Sequence, residues 1–283
     1  MDISFVVLHY RTDEDTISCV DSIEKLCGKK DIVVVDNGSG NGSFEKVKKH
    51  FGVKDNIFYI ENEKNLGFAS GNNVGYSFAK EQLHSGIIVV TNNDTIFNDP
   101  DFIKKLQLDI SKYKFDVAGP DILSLANNEH QNPVPTKTYS KKEIDKQIIR
   151  YLSLYIASRI GLYDILRKKV SHATKVNVPN TNWKNVQRNT MLHGATMIFN
   201  KRYVENEKYA FRPGTFLYLE ENILYDYCNK KGYNTLYLPD LKVTHKEDSS
   251  TNSLFTDRKK EKKKREFIFK NIIKSFIVYR KQK

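Results

Sequence analysis

The sequence predicts an α/β protein whose central sheet is mostly parallel and flanked by helices. In the N-terminal part of the chain, short β-branched runs alternate with segments of helical periodicity and are joined by short loops. The runs are apolar throughout, which is typical of strands buried on both faces of a parallel sheet. The run at residues 87–90 stops at Thr91, Asn92, Asn93 and Asp94, and a strand that delivers polar groups in this way ends at the ligand-binding edge of a sheet.

The N-terminal elements follow one another in a regular order. Strands are predicted at residues 3–8, 31–35, 57–60 and 87–90. Asp13 and Asp15 supply the start of the first helix, which keeps its apolar period until Gly28. A short second helix is predicted at residues 44–51. A loop rich in glycine and amides is predicted at residues 65–73, and the third helix follows it to about Leu83.

Beyond Pro120 the pattern becomes less regular, and a polar segment with two prolines at 127–139 predicts a loop. Strands are predicted at 191–199 and 235–238, and helices at 144–160, near 162–170, at 221–230 and from 258 onward. Gly232 is a plausible stop for the helix before it. The last helix carries an apolar stripe made of Phe269, Ile272, Ile273, Phe276 and Ile277.

The net charge of +12 is concentrated in two segments. Residues 258–283 hold 12 Lys/Arg and two Glu, a net +10, and residues 137–169 carry +6, which leaves −4 for the rest. This distribution argues against a uniformly basic nucleic-acid-binding fold and favours attraction to an anionic surface such as a membrane leaflet. Two interpretations stay open for each basic helix: its apolar stripe docks on a membrane, or it packs on the protein's own core.

The composition argues against several other classes of protein. No stretch of about 18 apolar residues is present, so we expect no membrane-spanning helix, and no basic leader precedes the first strand, so we expect no secretion signal. The cysteines Cys19, Cys27 and Cys228 form no CxxC pair. Their number and spacing argue against a disulfide framework or a zinc site and favour a reducing cytosol.

Carboxylates at strand ends are the first candidates for chemistry. Asp94 stands beside the amides of Asn92 and Asn93, a set that suits a divalent cation and its phosphates, although Asn and Asp also form turns. Asp36 ends the second strand, where it is suited to accept from a base N–H or a ribose hydroxyl, or else to cap a turn. The glycine-rich loop at 67–75 permits close approach to a ligand but matches neither a Walker A motif nor GxGxxG.

Glu220 and Glu221 form an acidic pair at the start of a predicted helix. A carboxylate in an apolar site can act as a general base that activates a hydroxyl, whereas acidic residues also suit the positive end of a helix dipole. Adjacent helical residues do not face each other, so one can face a cleft while the other packs. His245 ends a strand-like run, where a neutral imidazole can ligate a metal or simply pack.

Five short motifs occur along the chain in a characteristic order. They are Val33-Val34-Val35-Asp36-Asn37-Gly38-Ser39, Asn65-Leu66-Gly67-Phe68, Asn92-Asn93-Asp94-Thr95, Phe216-Leu217-Tyr218-Leu219-Glu220-Glu221 and Val243-Thr244-His245. In this order they resemble inverting glycosyltransferase family 2, which has the GT-A fold, and most of all its bacterial rhamnosyltransferase-like branch. The resemblance runs from Ile3 to about Ser250.

The resemblance implies a nucleotide-sugar site in the N-terminal half. A UDP- or dTDP-sugar would contact His9, Tyr10, Asp36, Asn65, Gly67, Asn92, Asn93 and Asp94. Asn92 and Asp94 match the first and last positions of the family's DxD motif, so Asp94, together with His245, would hold Mn²⁺ or Mg²⁺. Asn92 departs from the motif and leaves the metal site with one carboxylate less. The loop between the donor and acceptor sites would be His193, Gly194 and Ala195.

The resemblance also implies a reaction. Glu221 matches the aspartate of the family's Glu-Asp pair, the usual base, and Glu220 stays the alternative. The expected enzyme is a metal-dependent hexosyl- or rhamnosyltransferase that moves a sugar to a hydroxyl of a glycan acceptor, which is expected to be linked to a polyprenyl diphosphate. It would serve capsule or O-antigen synthesis in the cytoplasm, at the inner face of the cell membrane, with no nucleic acid as partner. The alternative is a non-catalytic nucleotide-sugar sensor or scaffold on the same fold.

The same resemblance suggests a division of the chain. A GT-A glycosyltransferase domain is expected at residues 1–250, with a nucleotide-sugar-binding half at 1–120, a helical insertion at 121–190 and an acceptor half at 191–250. Residues 251–283 would form a basic amphipathic helical tail.

Overall fold

The computed structural model describes residues 2–163, 182–247 and 258–283, and it confirms the α/β fold. The strands are Ile3–His9 (β1), Asp31–Asp36 (β2), Ile57–Glu61 (β3), Ile87–Asn92 (β4), Thr95–Ile96 (β5), Val117–Ser124 (β6), Gln187–Arg188 (β7), Thr196–Phe199 (β8) and Thr235–His245 (β9). The helices are Asp13–Glu24 (α1), Ser43–Phe51 (α2), Phe68–Glu81 (α3), Phe102–Lys112 (α4), Lys141–Arg159 (α5), Lys201–Asn206 (α6), Glu220–Lys231 (α7) and Arg258–Gln282 (α8). The helical piece predicted near 162–170 lies mostly outside the described residues.

The strands form one sheet in the order β3-β2-β1-β4-β8-β6-β9-β5, and β7 pairs with β9. The first four, β3, β2, β1 and β4, are all parallel. β8 runs antiparallel between β4 and β6, and β9 returns parallel to β6. The N-terminal half is thus the parallel sheet that the sequence predicts, and the C-terminal half adds antiparallel strands to it.

The register brings several strand ends to one edge of the sheet. His9 of β1 lies opposite Asp36 of β2, and Leu8 lies opposite Asn92 of β4. Because parallel strands end on the same side, the polar residues that follow β1, β2 and β4 share the carboxyl edge. β5 follows β4 and pairs with the end of β9, which brings His245 to this edge as well.

Both faces of the sheet are buried. Phe5 and Val7 of β1 belong to a core cluster formed with α1, α2 and α4. Val6 belongs to a second cluster, which includes Tyr76 of α3 and Tyr203 of α6. Burial on both sides explains why these strands are apolar along their length instead of alternating with polar residues.

The predicted extent of the loop at residues 65–73 is wrong, because the loop ends at Gly67 and α3 begins at Phe68. Gly71 and Gly75 lie within this helix and face the sheet. A Cβ at Gly75 would stand 2.4 Å from a methyl group of Val6, and one at Gly71 would stand 2.8 Å from a methyl group of Leu8. These glycines therefore permit close packing of the helix on the sheet rather than approach of the backbone to a ligand.

Two strand predictions differ from the structure in length. The strand predicted at 191–199 is confined to Thr196–Phe199, because the residues before it form a loop tied to the end of β4. The strand predicted at 235–238 continues to His245, with a register shift against β6 between Pro120 and Asp121.

The last helix, α8, packs on the protein itself. Phe276 and Tyr279 of α8 are buried in a cluster with Ile144 of α5 and Ile223 of α7. Phe269 of the predicted apolar stripe is also buried. Of the two interpretations given for this helix, the structure favours packing on the protein's own core.

Helix α5 presents a second apolar face to solvent. Ile149 is 64% exposed and Ile156 is 50% exposed, and Leu152 and Ile160 continue the same stripe. No helix in residues 2–163, 182–247 and 258–283 combines the length and apolar character needed to cross a bilayer.

Candidate active site

A cavity of about 480 Å³ opens at the carboxyl edge of β1, β2 and β4. It is lined by six of the eight residues predicted to contact the nucleotide, namely Tyr10, Asn65, Gly67, Asn92, Asn93 and Asp94. It is also lined by residues that sequence reasoning did not assign to a site, namely Leu8, Asn37, Phe68, Phe216, Leu217, Lys264, Phe267 and Ile268. The polar part of this wall comes from the strand ends, and much of its apolar part comes from α8 and the segment before α7.

Asn37 organises one wall of the cavity. Its side-chain amide donates to Asn65 Oδ1 at 3.1 Å and to the Gly67 carbonyl at 3.2 Å, and its oxygen accepts from Leu66 N at 3.0 Å. Gly67 has a φ of +82°, and a Cβ there would lie 2.4 Å from the carbonyl oxygen of Phe216. The glycine is thus required by a left-handed backbone and by a close approach of the Phe216 segment.

His9 and Asp36 lie beneath the cavity and are not part of its lining. The buried His9 ring bonds through Nδ1 to Thr16 Oγ1 at 2.6 Å and through Nε2 to Ser43 Oγ at 2.8 Å. Burial lowers the pKa of His9. Asp36 accepts from Ser39, from N at 3.2 Å and from Oγ at 2.5 Å. Both residues hold the ends of β1 and β2, and direct contact with a nucleotide stays a prediction for each.

Asp94 and His245 meet as predicted, with Asp94 Oδ1 3.1 Å from His245 Nε2. A backbone hydrogen bond holds the two segments together, because Lys246 N donates to the Asp94 carbonyl at 2.9 Å. Both side chains are buried apart from a small exposed fraction.

Gln131 and Glu247 orient the His245 ring. The Glu247 carboxylate can only accept, so the amide nitrogen of Gln131 donates to it, and Gln131 Oε1 faces His245 Nδ1 at 2.8 Å. Gln131 Oε1 therefore accepts from His245 Nδ1, and the second ring nitrogen, Nε2, faces the Asp94 carboxylate. An imidazole nitrogen and a carboxylate oxygen that converge in this way share a proton or bind a cation together, so the pair fits a divalent cation. Gln131 lies in the polar segment that the sequence marks only as a loop.

The two side chains fit a cation whose coordination shell is completed by the substrate. The described residues contain no cluster of three or more His, Cys, Asp or Glu side chains with metal-binding geometry. Asp94 and His245 would therefore provide only two ligands, and diphosphate oxygens or water would have to provide the others.

Glu221 is held by the loop formed by His193, Gly194 and Ala195. Gly194 N donates to Glu221 Oε1 at 3.3 Å, and a Cβ at Gly194 would lie 2.7 Å from that oxygen and 3.4 Å from Phe68 Cζ. The same loop also contacts the end of β4, two residues before Asp94, because Asn92 N donates to the Ala195 carbonyl at 2.8 Å. The three residues thus join the Glu221 carboxylate to the end of β4, and their role as a loop between two subsites stays a prediction.

His193 completes this loop. Its backbone N donates to Asn132 Oδ1 at 2.7 Å, and its Nδ1 accepts from Ala195 N at 3.1 Å. The His193 and His245 ring centroids are 5.9 Å apart. Burial lowers the pKa of His193, while the nearby Glu221 carboxylate acts in the opposite direction.

Glu220 faces the interior and is only 4% exposed. Burial, followed by the charge of Glu221, raises the pKa of Glu220 to about 8, so this carboxyl is largely protonated at neutral pH. Tyr218 and Leu219, just before it, have φ values of 77° and 69°, a left-handed conformation that costs about 1 kcal/mol or more for such side chains. This strained turn leads into α7, where Glu220 faces the interior and the Glu221 carboxylate accepts from the loop at Gly194.

The sequence matches one family of known proteins. A family model described as Glycosyl transferase family 2 matches residues 4–174. A Haloferax volcanii protein described as low-salt glycan biosynthesis hexosyltransferase Agl10 is 27% identical over 138 residues, or 48% of this chain and 42% of that protein. The chain thus spans less than half of this relative.

Solved structures with the same fold are also found. The first 349 residues of TarS from S. aureus, in complex with UDP-GlcNAc, superpose with a TM-score of 0.58 at 15% identity, covering 99% of this chain and 66% of that one. The mannosyltransferase PcManGT from Pyrobaculum calidifontis, in complex with GDP-Man and Mn²⁺, gives a TM-score of 0.54 at 13% identity, covering 89% and 59%. At this level of identity the likeness establishes the fold alone.

Proposed function

Because the chain belongs to glycosyl transferase family 2, as its motifs predicted, we propose that it transfers a sugar from a nucleoside diphosphate donor to a hydroxyl of a glycan acceptor. The observation that carries this proposal is the convergence of three features at one sheet edge. They are a cavity of about 480 Å³ at the strand ends, the facing pair Asp94 and His245, and the Glu221 carboxylate of α7, which is held by a loop tied to β4.

The donor would bind in the cavity with its nucleoside between the loop that contains Gly67 and the strand ends. The polar side chains of Asn65 and Asn92 offer hydrogen bonds to a base or ribose, and the aromatic rings of Tyr10, Phe68 and Phe216 offer flat apolar surface. The UDP-GlcNAc and GDP-Man complexes of TarS and PcManGT support a nucleotide-sugar as the ligand class. A pyrimidine donor, UDP- or dTDP-sugar, is our proposal from the family resemblance.

Asp94 and His245 would hold Mn²⁺ or Mg²⁺, which when bound supplies positive charge to the diphosphate leaving group. Asn92, where the motif has an aspartate, provides an amide and no charge. Gln131 keeps the His245 ring in the orientation in which Nε2 faces the Asp94 carboxylate.

Glu221 would act as the base. Its carboxylate accepts from the N–H of Gly194, a residue that lies next to Phe68 of the cavity wall. It would take the proton of the acceptor hydroxyl as that oxygen attacks the anomeric carbon, while the bond from this carbon to the diphosphate oxygen breaks on the opposite side. The configuration at the carbon therefore inverts. Glu220, buried and largely protonated, is placed to support the turn rather than to receive this proton.

We also propose that the acceptor is carried on a polyprenyl diphosphate at an anionic membrane surface, in the synthesis of a surface polysaccharide such as capsule or O-antigen. Support comes from α5, whose exposed stripe of Ile149, Leu152, Ile156 and Ile160 is accompanied by exposed Lys146, Arg150 and Arg159. Apolar residues beside cations suit a helix that lies on an anionic leaflet.

The experiment that tests the transferase proposal compares wild type with Glu221→Gln. Release of nucleoside diphosphate from UDP- and dTDP-sugars is measured in the presence of Mn²⁺ and of lipid-linked glycan extracts, together with donor binding by calorimetry. A transferase loses turnover in Glu221→Gln and keeps donor binding. A sensor or scaffold binds the donor and shows no turnover in either protein.

A further inference from the structure

The C-terminal helix α8 forms part of the cavity that the proposed donor would occupy. Lys264, Phe267 and Ile268 of this helix line the same cavity as Asp94. All three lie on α8, and nothing in the family motifs of the sequence assigns them to a site. The basic helix therefore has a second role open to it besides packing on the core.

The position of α8 over the cavity is fixed by side-chain contacts. The Phe267 and Phe216 rings meet edge to face with centroids 6.1 Å apart, and Ser275 Oγ donates to the Leu217 carbonyl at 2.8 Å. Phe216 and Leu217 are themselves cavity residues, so the helix is fastened to the wall that it completes.

The C-terminal half of α8 anchors the helix in the core. Phe276 and Tyr279 are buried, and the Tyr279 hydroxyl donates to Asp226 of α7. The Arg280 guanidinium pairs with Asp145 of α5 at 2.5 Å. These contacts lie beyond the cavity, so a change at Lys264 leaves the anchor in place.

The charges on the cavity wall point to a specific ligand group. Among the described residues that line it, Asp94 is the carboxylate and Lys264 is the cation. A nucleoside diphosphate brings several negative charges. Because Asn92 replaces an aspartate of the family motif, the proposed metal site has one carboxylate fewer. A protonated lysine is a strong partner for phosphate oxygens, since charge-assisted hydrogen bonds are roughly twice as strong as neutral ones.

We propose that Lys264 binds a phosphate oxygen of the donor diphosphate and stabilises it as the leaving group, while Phe267 and Ile268 close the apolar wall beside the nucleoside. Lys264 would thus be a substrate-binding residue that is contributed by the C-terminal helix. This inference rests on the proposed function, because it takes the cavity to be the donor site. No proton or covalent bond moves at Lys264, which stays charged throughout.

The test compares Lys264→Gln with Lys263→Gln, which removes the same charge from the neighbouring exposed position of the same helix. Binding of UDP and of uridine is measured by calorimetry with Mn²⁺ at low salt, and melting temperatures confirm that each variant is folded. We expect Lys264→Gln to weaken UDP binding about tenfold and to leave uridine binding unchanged. Lys263→Gln should bind both like the wild type, and Lys264→Arg should restore most of the UDP affinity.

The outcomes separate this inference from the proposed function. If the wild type binds UDP and Lys264→Gln binds it equally well, the role of Lys264 is refuted while the donor site stands. If Lys264→Gln weakens uridine as much as UDP, the lysine shapes the wall and does not bind phosphate. If the wild type binds no nucleoside diphosphate, whether UDP, dTDP or GDP, the donor site itself is refuted and the inference falls with it.

Discussion

Replacement of Gly194 by alanine displaces the proposed base, and its new Cβ meets the donor cavity only through an ordinary contact of 3.4 Å with Phe68. The backbone of Gly194 lies outside the left-handed region, so alanine can adopt its conformation. The added Cβ would stand 2.7 Å from Glu221 Oε1, whereas an ordinary contact is about 3.4 Å, so the carboxylate must withdraw by about 0.7 Å. Shifts approaching 1 Å in a reacting group lower rates on the order of 10²-fold. We expect kcat to fall by about this factor.

The stability of Gly194→Ala should change little. The atom that must move is the end of a flexible side chain, and the lost Gly194 N–H bond contributes about 1 kcal/mol. A matched control is Gly75→Ala, whose Cβ would meet Val6 at 2.4 Å and Val35 at 2.9 Å inside the core. Overpacking of this kind lowers the free energy of unfolding by about 1–3 kcal/mol.

The assay follows nucleoside diphosphate release at varied donor concentration, with urea unfolding run in parallel. Gly194→Ala should lower kcat and leave the KM for the donor unchanged, because the interaction lost is one with the reacting acceptor. Wild-type turnover in Gly194→Ala would show that the position of Glu221 does not limit the reaction. A loss of donor affinity equal to the loss of kcat would show that the loop belongs to the donor site instead.

Three further predictions concern groups around this centre. Gln131→Leu removes the acceptor that orients the imidazole facing Asp94, so Mn²⁺ affinity measured by electron paramagnetic resonance should fall about 10- to 100-fold. Folded Glu220 keeps a proton that the unfolded chain releases, so the free energy of unfolding of wild type relative to Glu220→Gln should decrease in urea titrations as pH rises from about 4.5 to about 8. The double variant Ile149→Asp, Ile156→Asp should lose most of its co-sedimentation with vesicles of anionic phosphatidylglycerol at unchanged stability.

Each of these predictions has an outcome that contradicts it. Unaltered Mn²⁺ affinity in Gln131→Leu would mean that the amide does not orient a metal ligand. An equal pH slope in wild type and Glu220→Gln would place the proton on another group. The matched control for the vesicle experiment is Leu108→Asp, at a site on α4 that is 59% exposed, and equal vesicle binding by all three proteins would exclude α5 as the contact.

The parallel half of the sheet could be predicted from the sequence because its strands are buried on both faces. That burial requires continuous apolar runs, and such runs are visible without any knowledge of partners. The strand ends could be predicted for the same reason, since polar residues can only follow where burial stops. Asp94 and His245, which are 151 positions apart, were brought together by family resemblance, and the pairing of β5 with β9 accounts for their contact.

Features that depend on distant partners could not be predicted. The start of α3 at Phe68 was missed because glycine and asparagine are poor helix formers, and only the packing of Gly71 and Gly75 on the sheet compensates for this. Gln131 lies in a polar segment whose composition does not reveal that one amide reaches His245. The amphipathic pattern of α8 predicts an apolar face. It does not predict which surface this face covers, or that Lys264 lines the cavity.

The central claim is that the edge of the sheet binds a metal-bridged nucleoside diphosphate. The most direct measurement is the melting temperature of wild type and Asp94→Ala with UDP, dTDP, GDP, CDP or ATP, each with and without Mn²⁺. A ligand that binds only the folded state raises the melting temperature in proportion to its occupancy. We predict that one pyrimidine diphosphate stabilises the wild type, and does so only with Mn²⁺ and Asp94 present. Equal melting temperatures under all conditions, or stabilisation that ignores both the metal and Asp94, would contradict the claim.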